Sequence, residues 1–269
     1  MKYNILTSTL FSFFVILFSC SNESNEVSPT GNESVGTGGS LARFTISGDY
    51  LYAVDQQKLI TFTIEDPMVP KTVDQFPLEW GVETIFALDT IIFVGTQTGM
   101  HMFDISEGSR PGYLSNYEHI QSCDPVVAQD TLAFVTLRSG NGCWNGINQL
   151  DVLDIRELTN PRLIKSYPMT NPHGLAVTGN HLFVCEGQYG LRTFEISEGG
   201  QLEEIGFHQN IRSIDVIIRP DNLMIVVAED GLFQYDFTNY VDFPYSVEFL
   251  LFCNFSPYFI FQWKLLFLS

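Results

Sequence analysis

Positive charge is scarce in this chain. Only 13 Lys and Arg stand against 31 Asp and Glu among 269 residues, for a formal net charge of −18. An acidic surface repels phosphate, which excludes nucleic-acid binding by bulk electrostatics. The usual enzyme signatures are missing as well: no Gly-Lys-Ser/Thr phosphate loop, no Gly-x-Ser-x-Gly, no His-Glu-x-x-His and no Cys-x-x-Cys. The acidic stretches lack the alternate-acid spacing of a Ca²⁺ loop. No cofactor, no metal site and no catalytic residue is therefore expected. Helical periodicity is also absent, which excludes a solenoid of two-helix repeats. What the chain has is 45% apolar and 14% aromatic residues, too many for a disordered chain and enough for one sizeable domain.

The N-terminus reads as an address. Lys2 precedes an apolar run from Leu10 to Phe18, broken only by Ser12 and too short for a permanent membrane span. The run ends in Leu17-Phe18-Ser19-Cys20, which resembles a bacterial lipobox; the resemblance implies cleavage before Cys20 and lipidation of its thiol. The following Ser21-Asn22-Glu23-Ser24-Asn25-Glu26 and the Ser/Gly/Asn/Thr-rich run to Ser40 cannot bury a core and read as a tether. Those early acidic residues resemble the export leaders of Bacteroidetes surface lipoproteins. The expected location is the cell envelope, on an outer-membrane lipid anchor, periplasmic or surface-exposed.

Five segments then repeat a turn followed by an apolar strand, with lead residues Leu51, Ile91, Leu132, Leu182 and Leu223. A second strand recurs at Phe62-Thr63-Ile64, Phe103-Asp104-Ile105, Leu153-Asp154-Ile155, Phe194-Glu195-Ile196 and Tyr235-Asp236-Phe237. The lead spacings are 40, 41, 50 and 41, and those of the second strand are 41, 50, 41 and 41. Both rulers place one insertion in the third repeat, around residues 139–148. Four short strands in about 41 residues is the size of a propeller blade. The fold class is all-β, a β-propeller of four-stranded blades. Leu51-Tyr52-Ala53-Val54-Asp55, Asp124-Pro125-Val126-Val127 and His173-Gly174-Leu175-Ala176-Val177 are similar to the LVIVD-repeat propeller lipoproteins. That resemblance, over residues 41 to about 238, implies a propeller with a non-catalytic role.

The repeat pattern stops at Asn239. The last 31 residues hold 7 of the 23 Phe and show no turn-strand signature. The expected layout is a signal peptide over 1–19, a tether over 20–40, propeller repeats over 41–238 and an aberrant apolar tail over 239–269. A change of composition inside a blade is what a frameshifted or misread 3′ end produces; the alternatives are a degenerate final blade and a membrane anchor from Phe249 to Leu268, which Pro257 and Lys264 interrupt. An incomplete last blade would leave a blade face uncovered.

Blade register also assigns a ring of residues nine before each lead: Ala42, Val82, Cys123, His173 and Ile214, at one mouth of the central channel. Around it fall Trp80, Glu83, Gln121, Asp124, Asn171, Arg212 and Asp215, with Trp144 in the insertion. This face is the candidate binding surface, for a glycan, peptide or protein ligand; the alternative is a set of solvated loop residues. Cys123 and Cys143 share that face and an oxidising compartment, which predicts one disulfide closing a ~20-residue ring worth ~3 kcal/mol; the alternative is two free buried thiols. Cys185 reads as plain core. The Asp at positions 104, 154 and 236 recurs at one blade position and reads as a turn cap. His101, His119, His181 and His208 do not recur and read as surface or loop residues. The functional expectation is a lipid-anchored binding or scaffolding module. The rival is a propeller hydrolase or lyase acting on extracellular glycan-type substrates, with His173 and a mouth carboxylate as its acid–base pair.

Overall fold

In the computed structural model the described residues are 39–118, 125–140, 147–219 and 222–239, with the backbone of Tyr245–Phe249. Cys20, Gln121, Cys123, Asp124, Cys143 and Trp144 lie outside them, and so does His119. Twenty strands and, among the described residues, no helix make up five four-stranded antiparallel sheets arranged as a five-bladed β-propeller. Blade 1 is β1 (Phe44–Ser47), β2 (Tyr50–Val54), β3 (Lys58–Thr63) and β4 (Lys71–Pro77). Blade 2 is β5 (Val82–Leu88), β6 (Ile91–Thr96), β7 (Gly99–Asp104) and β8 (Gly112–Glu118). Blade 3 holds β9 (Val126–Gln129), β10 (Leu132–Leu137), β11 (Gln149–Asp154) and β12 (Arg162–Pro168). Blade 4 holds β13 (Leu175–Thr178), β14 (His181–Cys185), β15 (Leu191–Ile196) and β16 (Leu202–His208). Blade 5 holds β17 (Ser213–Arg219), β18 (Leu223–Ala228), β19 (Gly231–Asp236) and β20 (Tyr245–Phe249).

Three devices repeat in all five blades. The turn between the first two strands carries a left-handed residue, at Gly48, Asp89, Asp130, Gly179 and Asn222, with φ between 51° and 57°. Only Gly, Asp and Asn adopt that conformation at little cost, which is why the turns are legible in the sequence. The same turn accepts an amide from the end of the third strand: Ile64 to Asp49, Ile105 to Thr90, Ile155 to Thr131, Ile196 to Asn180 and Phe237 to Asn222, at 2.7–2.9 Å. A β-bulge interrupts the third and fourth strands just before Phe62, Phe103, Leu153, Phe194 and Tyr235. Bulges sharpen the local twist, which a propeller blade requires. Blade 5 shares all three, so Tyr245–Phe249, read from sequence as part of an aberrant tail, is a regular fourth strand.

The recurrent Asp does cap its turn: Asp104, Asp154 and Asp236 accept the amides of Ser106, Arg156 and Thr238 at 2.8–3.0 Å. Cys185 is a free, buried thiol. Three histidines read as surface or loop residues prove to be on strands. His101 is buried in β7 against Tyr113, and His181 and His208 are half-buried in β14 and β16. Strand alternation, invisible for a lone residue type, decided their place.

Apolar side chains fill the seams between blades. One buried cluster joins blades 1 and 2 around Tyr52, Ile92 and Phe103. A second joins blades 2 and 3 around Phe93, Ala133 and Leu153, and a third joins blades 3 and 4 around Phe134, Leu182 and Phe194. The fourth joins blades 4 and 5 around Phe183, Met224 and Tyr235. Among the described residues, no such cluster spans blades 5 and 1.

Candidate functional site

The upper face of the ring carries the crossings from each fourth strand to the next blade and the turns between second and third strands. Four of the five ring residues expected at the channel mouth are described, and each has its carbonyl bonded to a neighbouring blade. Ala42 accepts from the Ile85 amide (2.9 Å) and Ile214 from the Gly174 amide (2.9 Å). Val82 accepts from Arg43 Nη2 (3.0 Å) and His173 from Thr136 Oγ1 (2.7 Å). The ring is therefore a set of ties between blades.

Blades 5 and 1 are tied differently, through Asp215. Its Oδ1 accepts from Ser40 Oγ at 3.0 Å and its Oδ2 from the Leu41 amide at 3.4 Å. Ser40 Oγ in turn accepts from the Leu175 amide of blade 4 at 2.8 Å. A Cβ on Gly39 or Gly174 would sit 2.2 or 2.1 Å from the Asp215 carboxylate, so both positions need glycine for close approach. Burial pushes the Asp215 carboxyl up to about 6, against the opposing pull of its hydrogen-bond donors.

Asn171 and His173 do come together. Asn171 Nδ2 lies 3.0 Å from His173 Nε2, and Gly187, at φ +59°, leaves the room that pair occupies. The loop bearing them is pinned by a residue that sequence reasoning missed. Glu186 is fully buried and accepts from the amides of Thr170 (3.0 Å) and Asn171 (2.5 Å) and from Arg192 Nε (2.9 Å). Arg192 also pairs with Glu204 and lies 4.1 Å over the Phe207 ring. A charged residue closing the apolar run Leu182–Cys185 was the available signal. Burial, and secondarily Arg138, lowers the His173 pKa to about 4. A neutral imidazole that weakly basic is a poor proton acceptor at neutral pH.

Arg212 stands apart, in an exposed ion pair with Glu229 at 2.5 Å. Trp80 and Glu83 instead share a cleft of about 330 Å³ at the top of the seam between blades 1 and 2. Leu41, Arg43, Gln56, Thr84 and Gln97 complete its lining. Trp80 is 61% exposed, and Glu83 Oε1 accepts from Gln97 Nε2 at 3.3 Å. Arg43, Gln56 and Gln97 come from blade edges and turns without periodic cues, so the sequence marked only the Trp and the Glu. Among the described residues no cluster of three metal-ligating side chains is present.

The fold defines the class: a five-bladed β-propeller. The LVIVD repeat family model matches residues 38–67, the crossing segment and most of blade 1, so this is a propeller carrying an LVIVD repeat. No curated protein matches the chain by sequence. Among solved structures, a protein from Lactobacillus plantarum is similar at 12% identity, with 76% of this chain and 73% of that one covered and a TM-score of 0.58. A functionally unknown protein from Desulfotomaculum acetoxidans follows at 12% identity, 73% and 68% coverage and a TM-score of 0.56. The periplasmic gluconolactonase of Pseudomonas aeruginosa has 13% identity, 70% and 63% coverage and a TM-score of 0.57. At such identities the likeness is one of fold.

Proposed function

We propose that the chain is a non-catalytic binding module, tethered to the cell envelope through a lipid on Cys20, and that its ligand site is the Trp80 cleft. The observation that carries this reading is the contrast between the two parts of the upper face. At the mouth, Glu186 is saturated by two amides and a guanidinium, Asp215 is enclosed, and His173 is a neutral hydrogen-bond partner of Asn171. None is poised as a general acid or base, and a fold shared with a lactonase supplies no such group. In the cleft, an exposed indole stands beside amide, guanidinium and carboxylate groups. That combination suits a saccharide, which stacks an apolar ring face on an aromatic and hydrogen-bonds at its edges. A net charge of −18 disfavours anionic ligands.

The test is a glycan array probed with labelled chain, followed by calorimetry on the captured sugars. Trp80→Ala should weaken capture by about 2 kcal/mol, or about 30-fold, with thermal stability unchanged. Undiminished capture by Trp80→Ala, or an array that captures nothing, overturns the reading.

A further inference from the structure

The blades present five seams, and four are filled to the standard of a protein core. The fifth, between blades 5 and 1, is not. Pairing aligns Phe44 with Ala53 and Ile60, and Ile46 with Leu51 and Phe62, so these six side chains share the face of blade 1 turned toward blade 5. Register likewise puts Ile217, Leu223, Ile225, Val227 and Leu232 on the opposing face of blade 5. None of the eleven is buried, and Phe44 is 58% exposed. At the positions equivalent to Leu51, the other blades place Ile92, Ala133, Leu182 and Met224, each at 0% exposure. At those equivalent to Phe62 they place Phe103, Leu153, Phe194 and Tyr235, all buried. Two facing apolar sheets are thus held at the channel mouth by Ser40, Leu41 and Asp215 without closing on each other.

We propose that this seam is a docking slot for the chain's own residues 250–269. Chain direction carries the first argument. In every earlier blade the chain leaves the fourth strand at the upper face and crosses inward to the innermost strand beside it: Pro77 to Val82, Glu118 to Val126, Pro168 to Leu175 and His208 to Ser213. The chain leaving β20 at Phe249 starts from the same place, and the same inward crossing leads into the seam. Composition carries the second. From Tyr258 to Leu268 nine of the eleven residues are apolar, with Gln262 and Lys264 two apart inside the run. So high an apolar content exceeds what a strand with one face in water carries, and suits a segment placed between two apolar sheets.

Hydroxyl-radical footprinting of the full chain tests this directly. Tyr113, 47% exposed on the outer strand β8, is the internal reference for a partly exposed aromatic. With the slot filled, Phe44 and Phe62 are oxidised at least about fivefold more slowly than Tyr113, after normalising for intrinsic reactivity. Two variants, a chain stopping at Phe249 and a full-length Ile260→Asp/Phe267→Asp chain, should restore their oxidation to the Tyr113 rate. Phe44 as reactive as Tyr113 in the unaltered chain overturns the proposal. So does protection that survives in both variants. Protection that fades on dilution, with a dimer seen by light scattering, identifies a second copy as the occupant and overturns it equally.

Discussion

Asp215 offers the sharpest test of the ring-closing ties. Its carboxyl titrates near 3.8 when unfolded and is raised to about 6 by burial in the folded chain. The folded state therefore binds this proton more tightly than the unfolded one. The stability it contributes is complete below about pH 3.8 and is lost as pH rises through about 6. A rise from 3.8 to about 6 corresponds to about 3 kcal/mol. His173 works in the opposite sense over nearly the same range. Its pKa falls from 6.5 to about 4, so its contribution is present above 6.5 and is lost as pH falls through about 4. The two slopes oppose each other in the unaltered protein, and a plain pH scan understates both. Asp215→Asn separates them. The Asn carbonyl still accepts from Ser40 Oγ and Val216, and the long Leu41 contact to the other oxygen is lost. Relative to the unaltered chain, the variant should gain about 2 kcal/mol between pH 4 and pH 7. Urea midpoints and slopes at four pH values measure the gain. A stability difference independent of pH would refute the argument, because it would mean that Asp215 is not enclosed as described.

Two further outcomes follow from the same geometry and from the N-terminal reading. Gly174→Ala forces a methyl into the Asp215 carboxylate and backbone, and should cost about 2 kcal/mol or more in chemical denaturation, as overpacking of a rigid site does; a neutral effect would show that the tie is loose. Cys20→Ala should move the protein from the membrane to the soluble fraction or stall its processing, read by fractionation and intact mass; unchanged attachment in a chain that also lacks residues 250–269 would count against lipidation.

The blades were legible because each carries obligatory chemistry at fixed intervals. A left-handed turn demands Gly, Asp or Asn, and the strand after it demands apolar residues. The ruler still slipped by one residue in two blades. The turn carbonyl bonds align Tyr50 and His181, not Leu51 and Leu182, with Ile91, Leu132 and Leu223. Tyr and His carry polar tips, so the first clearly aliphatic residue of each strand lies one position further on. A slip of one moves a side chain to the other face of its sheet. That is why the seam facing blade 5 could not be read in advance. Its residues are as apolar as any in the chain; what differs is whether another sheet covers them, and composition holds no record of that.

The same distinction bears on which part of the upper face is left for a ligand. At the mouth, five innermost strands converge, and their exposed amides and carbonyls must be satisfied before any ligand can be. Ala42, Val82, His173 and Ile214 meet that need between blades, Ser40 and Asp215 meet it across the last gap, and Glu186 holds the loop above. A polar residue there has a partner assigned by the ring itself. Trp80 stands in the crossing between blades 1 and 2, in a cleft that the ring residue Val82 also lines. Trp80 stands exposed there beside Arg43, Gln56, Glu83 and Gln97, and the saccharide proposal rests on that arrangement.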